Sequence, residues 1–161
     1  YTTKYQITMF LYTMGKVLEI GIVNIKGNQI QKVDKVDAIM GKGLLKDRNF
    51  KENNQKECQI TLIEIENIDN FNKISKTNIA ALNFRRNLIT KNIKLNDLVG
   101  KEFFVGNVKL KAHDLCRPCK YLQEKLKQSN IIKEFLLKGG IRCEILSDGK
   151  IVVGDDIKTK I

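Results

Sequence analysis

Ile141-Arg142-Cys143-Glu144-Ile145-Leu146 and Lys150-Ile151-Val152-Val153 stand on either side of Ser147-Asp148-Gly149. Asp-Gly between two β-branched runs is a strong short-range hairpin signal, because tight hairpin turns need residues that tolerate positive φ. The stretch therefore predicts a hairpin and a chain built mainly from strands. Just upstream, Glu102-Phe103-Phe104-Val105 and Val108-Lys109-Leu110-Lys111-Ala112 flank Gly106-Asn107 and predict a second hairpin. Lys16 to Ile25 is β-branched and short, a mostly buried strand ended by Lys26-Gly27-Asn28; Gln29 to Met40 and Cys58 to Ile63 read as further strands. Ile65, Ile68 and Phe71 recur at helical spacing within Glu64 to Ile74. Lys120 to Lys127 and Ile131 to Leu137 predict two more short helices, and Leu95 to Gly100 one helical turn closed by glycine. Seven or eight strands with two or three short helices make a mainly β (α+β), β-barrel-like domain.

At 161 residues the chain suits one core, so a single domain over 14–161 is expected. Met14-Gly15-Lys16-Val17 reads like a natural start, which sets residues 1–13 apart as an N-terminal extension without a signal peptide's long apolar core. No apolar run reaches the roughly 20 residues of a membrane helix. Four cysteines at uneven spacing do not form a secreted disulfide framework, which points to a reducing cytoplasm. The net charge of +11 calls for an anionic partner. Lysines are scattered among asparagines and isoleucines, a bias also expected from an AT-rich genome. There is no arginine-rich arm, no basic helix face and no aromatic-basic interleaving, which argues against nucleic acid. Arginine stands only at Arg48, Arg85, Arg86, Arg117 and Arg142, in pairs or alone, as suits local anion contacts.

The chemistry is concentrated in His113-Asp114-Leu115-Cys116-Arg117-Pro118-Cys119-Lys120-Tyr121-Leu122, which holds two of the four cysteines and the only histidine and proline. Cys119 is expected at a helix start, where the helix end, Arg117, Lys120 and His113 would favour the thiolate that attacks electrophiles or binds metal. The plainer reading makes Cys116 and Cys119 small buried side chains beside a turn. Arg85-Arg86-Asn87 puts two planar donor forks and an amide before a strand, a grip for phosphate or carboxylate that also suits a solvated turn. Gly41-Lys42-Gly43-Leu44, followed by Asp47-Arg48, lacks both the third glycine of a dinucleotide fingerprint and the Gly-Lys-Ser/Thr of a P-loop, so on pattern alone it is a turn.

Taken in order, Gly41-Lys42-Gly43-Leu44 with Asp47-Arg48, Gln59 to Glu64, Arg85-Arg86-Asn87-Leu88, Leu98-Val99-Gly100-Lys101, Cys116-Arg117-Pro118-Cys119, and Gly139-Gly140-Ile141-Arg142 with Val153-Gly154-Asp155 resemble the MOSC family. That family is named for the C-terminal domain of molybdenum-cofactor sulfurases, and the likeness is to its small stand-alone bacterial members. It implies a β-barrel-type fold and binding of the molybdenum cofactor (molybdopterin), used in redox chemistry or carried together with activated sulfur. By position, Cys119 is implied as the molybdenum ligand or sulfur-carrying thiol, with Cys116 second. Arg85, Arg86 and Asn87 are implied to hold the pterin phosphate, with Asp47, Arg48 and Arg117 lining the pocket. Implied partners are the pterin cofactor or its biosynthetic enzymes and a redox partner protein. Lys46 and Asn92 stand where glycine is expected, and asparagine is the milder departure because it tolerates left-handed backbone. Three other readings stay open: a thioredoxin-like dithiol oxidoreductase at Cys116-Arg117-Pro118-Cys119, a zinc site from those cysteines with two of His113, Cys58 and Cys143, and a non-catalytic basic binding module.

Overall fold

The computed structural model describes residues 12–160. Residues 1–11, most of the stretch set apart as an extension, lie outside the described residues. In chain order the strands are β1 Tyr12–Ile22, β2 Gln31–Val33, β3 Lys35–Ile39, β4 Gly43–Leu44, β5 Ile60–Glu64, β6 Leu88–Lys91, β7 Glu102–Val105, β8 Val108–Leu115, β9 Ile141–Ile145, β10 Gly149–Val152 and β11 Asp156–Lys160. The α-helices are α1 Ile65–Ser75, α2 Lys120–Leu126 and α3 Ile131–Glu134.

Strands β11-β7-β8-β9-β5-β6-β1 follow one another in one sheet, and β1 pairs back onto β11, which closes a seven-stranded barrel. The long β1 makes the closure: its first residues pair with β11, its middle with β6 across a bulge between Val17 and Glu19, and its end with β2. Tyr12 and Thr13 thus already sit in a barrel strand, opposite Lys160 and Thr159. Strands β5 and β6 run parallel, and the connection between them carries α1. A second sheet of order β10-β3-β4 lies beside the barrel.

Alternation sorts the side chains into two cores. Leu62, Leu88, Leu110, Ala112, Cys143 and Ile157 belong to the inner one, while Ile63 and Ile89, the next residues along β5 and β6, pack in a second cluster with Ile68, Phe71 and Phe84. Both faces of β5 and β6 are therefore buried, which is why these strands read as unbroken apolar runs. Phe135 joins that second core, with ring centroids 5.1 Å from Phe71 and 5.0 Å from Phe84. It draws the segment after β8 down over one flank of the barrel.

The hairpin predicted at Gly106-Asn107 is present: β7 and β8 pair antiparallel, and Gly106 takes φ 57°. The one predicted at Asp148-Gly149 is absent. Strand β9 pairs with β8 and β5, whereas β10 leaves for β3 in the second sheet. Both edges of β9 are occupied, and Gly149 lacks positive φ, which a type I′ turn would need. Asp148 instead accepts the Met40 backbone N–H at 2.7 Å, tying the two sheets together. The single strand expected over Gln29 to Met40 is also divided: β2 extends the barrel sheet and β3 belongs to the other. The second helix of the pair after the cysteines is shorter than expected, ending at Glu134.

Candidate functional site

One end of the barrel gathers the end of β1, the starts of β5, β6 and β9, and the segment after β8. The register shows why, since Thr61 stands opposite Arg142 and Leu62 beside Leu88. A cleft of about 280 Å³ opens there. Val23 and Ile30 line it from beyond β1, Asp47, Arg48 and Asn49 from the loop after β4, and Thr61 from β5. Arg85, Arg86 and Asn87 line it from the approach to β6, Cys116 and Arg117 from the end of β8, and Arg142 from β9.

All five arginines of the chain line this cleft, while none of the lysines among the described residues does. Arg86 donates through Nε to the Gly139 carbonyl at 2.9 Å and through Nη1 to the Phe84 carbonyl at 3.4 Å. Arg142 donates through Nε to the Glu57 carbonyl and through Nη2 to the Cys58 sulfur. Arg85 donates through Nη1 to the Asn28 carbonyl, and its Nη2 is buried without a hydrogen-bond partner among the described residues. A guanidinium has five donors, so each is anchored along one side and keeps others for a ligand. Among the described residues only Arg117 has a carboxylate partner, Asp114 at 3.5 Å. Such a cluster of uncompensated charge is suited to a multiply charged anion.

Asp47 braces the cleft. Its Oδ1 accepts the Val23 N–H at 2.9 Å and its Oδ2 the Asn49 N–H at 3.2 Å, while Arg48 N–H reaches the Val23 carbonyl. Burial raises its pKa despite these bonds and the neighbouring Arg48. Lys46, immediately before it, has φ 71°, and Asn92 has φ 61°. Both positions where the resemblance implies glycine are thus left-handed. Asn87 is a strut as well: its Oδ1 accepts from Thr61 N–H at 3.0 Å and Thr61 Oγ1 at 3.2 Å, and its Nδ2 donates to the Gly21 carbonyl at 3.1 Å.

The two thiols differ. Cys116 is buried in the cleft wall, its N–H bonded to the Gly140 carbonyl at 2.7 Å. Burial pushes this thiol up, against the guanidiniums of Arg86 and Arg142 that favour its thiolate. Cys119 is exposed, precedes the seven-residue α2 as its N-cap, and is outside the cleft lining. His113 is engaged elsewhere, its Nε2 paired with Glu144 at 2.8 Å across β8 and β9. Among the described residues, no three His, Cys, Asp or Glu side chains gather to hold a metal ion.

The structure brings Asp47, Arg48, Arg85, Arg86, Asn87, Cys116 and Arg117 together, and leaves Cys119 outside the lining. Thr61 and Arg142 join the cleft without having been assigned to the site from sequence, although Arg142 stood among the arginines suited to local anion contacts.

Residues 33–158 match the model of the MOSC domain, and the chain belongs to the MOSC domain family. Among solved structures it is similar to the YuaD protein of Bacillus subtilis, with a TM-score of 0.79 at 18% identity, covering 91% of this chain and 96% of that one. YiiM of Geobacillus stearothermophilus is similar with a TM-score of 0.70 at 15% identity, covering 91% of this chain and 75% of that one. YiiM of Escherichia coli gives 0.65 at 16% identity, covering 94% and 71%. At these identities the likeness speaks for the fold. No curated protein matches the sequence. Among the described residues no helix is long and apolar enough to cross a membrane.

Proposed function

We propose that this MOSC domain binds the molybdenum cofactor in the arginine cleft, with the pterin phosphate on the guanidiniums and a thiolate of the CxxC segment on the metal. The observation that carries the reading is the convergence of all five arginines on one cleft whose wall includes Cys116. The donor set fits: anchored guanidiniums with spare N–H groups suit a phosphate, the unpartnered Nη2 of Arg85 lacks an acceptor, and a soft thiolate suits molybdenum. Bound there, the cofactor would supply two-electron redox chemistry at the metal. The chain's own residues bind and orient: Arg48, Arg86 and Arg142 hold negative charge, and Asp47 and Asn87 fix the loops that carry them.

Cys119 is the proposed metal thiolate, because it is exposed and two residues from the cleft-lining Arg117, whereas burial holds Cys116 toward the thiol. The cofactor would come from its biosynthetic enzymes and electrons from a redox partner protein. A role as carrier of cofactor or activated sulfur uses the same residues. Elemental analysis for molybdenum, tungsten and zinc tests this on protein purified without oxygen from a host that makes the cofactor. Near-stoichiometric molybdenum or tungsten that is lost in Cys119→Ala is expected. Full metal occupancy in that variant refutes the role of Cys119, and zinc in place of molybdenum refutes the reading.

A further inference from the structure

Leu136 and Leu137, adjacent in the segment that joins β8 to β9, are 63% and 62% exposed. Ile132, one helical turn before Leu136, is exposed as well. Their neighbours Ile131 and Phe135 are buried in one core cluster with Ile68 and Phe71 of α1. The segment is therefore seated on the barrel's flank by one face and presents aliphatic side chains to solvent on the other. We infer that this outer face docks on a membrane surface containing anionic phospholipid, with the leucines entering the interface and the flanking lysines meeting headgroup phosphates.

The backbone holds the leucines outward against its own preference. Leu137 has φ 65°, a conformation that suits glycine or asparagine and costs a leucine energy, and strain of this kind persists where the surrounding structure imposes it. Here the Leu137 carbonyl accepts from Asn96 Nδ2 at 2.7 Å, and Asn130 Nδ2 donates to Ser75 Oγ at 3.0 Å. Residue types and charge say what covers the face. From α2 to Gly139 the chain carries Lys120, Lys125, Lys127, Lys133 and Lys138 against Glu124 and Glu134. Lys133 and Lys138, which bracket the leucines, are exposed and without a carboxylate partner among the described residues. Residues 122–138 offer no arginine and no exposed aromatic ring. Protein interfaces are enriched in those groups and depleted of lysine, and a single-strand binder needs exposed rings for stacking. A second copy set face to face would oppose like charges. Exposed aliphatic side chains bracketed by lysines match an anionic lipid interface, and contact of this kind needs no spanning helix.

Co-sedimentation of the chain with vesicles of phosphatidylcholine alone, and of phosphatidylcholine mixed with phosphatidylglycerol, tests the inference at about 0.1 M salt. The mixed vesicles should bind about tenfold or more tighter than the neutral ones. Leu136→Ser/Leu137→Asn should weaken that binding by about tenfold, because the apolar part of the contact is gone. Asparagine accepts left-handed backbone, so this variant should melt no lower than the parent and its loss of binding cannot be unfolding. Lys133→Gln/Lys138→Gln should weaken binding to the mixed vesicles and flatten its dependence on salt. Failure of the parent to bind the mixed vesicles overturns the inference. Undiminished binding by the leucine variant also overturns it, since adsorption would then follow from the net charge of +11 alone. Sedimentation equilibrium without vesicles completes the test: a monomeric parent is expected, and a dimer that the leucine variant abolishes would assign the face to a second copy and overturn the lipid assignment.

Discussion

Replacing Asn87 by alanine removes three side-chain hydrogen bonds at the seam where β5, β6 and β1 meet. Thr61 N–H and Thr61 Oγ1 both point at Asn87 Oδ1, and Asn87 Nδ2 donates to the Gly21 carbonyl. The side chain is only 8% exposed, so water does not simply take its place. A typical buried hydrogen bond contributes about 1 kcal/mol net, and an orphaned buried partner costs about 1–3 kcal/mol. The backbone bond from Gly21 N–H to the Asn87 carbonyl and the one from Asn87 N–H to Thr61 Oγ1 remain, which limits the damage. The expected loss is about 3 kcal/mol, read as a Tm lower by roughly 6–12 °C for a chain of this size. Urea denaturation of cofactor-free protein measures it, with the m value unchanged. A loss under about 1 kcal/mol, together with weakened anion binding, would refute the strut and make Asn87 a ligand contact first.

Three further outcomes follow from the same geometry. Gly140 has φ +95°, and a Cβ there would collide with the Leu62 carbonyl in the middle of β5; Gly140→Ala should cost more than about 3 kcal/mol and drop soluble yield, and a variant as stable as the parent would show that β5 can shift. Lys46 has φ 71°, so Lys46→Gly should stabilise by about 0.5–1 kcal/mol, the relief of left-handed strain less the added freedom of the unfolded chain; a loss of stability counts against it. Asp47 is raised above its ordinary value of 3.8 by burial. The folded state therefore keeps this proton at pH values where the unfolded state has lost it, so its contribution is full at low pH and is lost as pH rises through the folded value. The stability difference between parent and Asp47→Asn should accordingly shift in favour of the variant on going from pH 4 to pH 7, and a shift the other way in urea titrations would contradict it.

Much of the barrel was legible because its signals are local. Gly106-Asn107 places positive φ where a tight turn needs it, and the apolar runs of β1 and β5 and the spacing of α1 follow from periodicity. Strand partnership is not local. Ile141 to Ile145 alternates as a hairpin arm would, yet both its edges are taken by β5 and β8, which come from far upstream. Asp148-Gly149 therefore serves a crossing between sheets, and only the third dimension distinguishes the two uses. The site was legible by residue type: the arginines, Asp47 and Cys116 carry chemistry in any setting. Their convergence was not, because Arg48 and Arg142 meet only through the register of β5 with β9 and the loop after β4. The contrast between Cys116 and Cys119 was equally hidden, since only two residues of sequence separate a buried wall from an exposed helix start.

The claim that the arginine cleft holds a phosphorylated pterin is tested most directly by quantifying pterin, as its fluorescent oxidation product, in protein purified from a cofactor-making host beside Arg48→Gln/Arg142→Gln. The account predicts about one pterin per chain in the parent and less than a tenth of that in the variant, the loss expected when two charge-assisted phosphate contacts go. A parent without pterin, or a folded variant that retains it in full, would contradict the account.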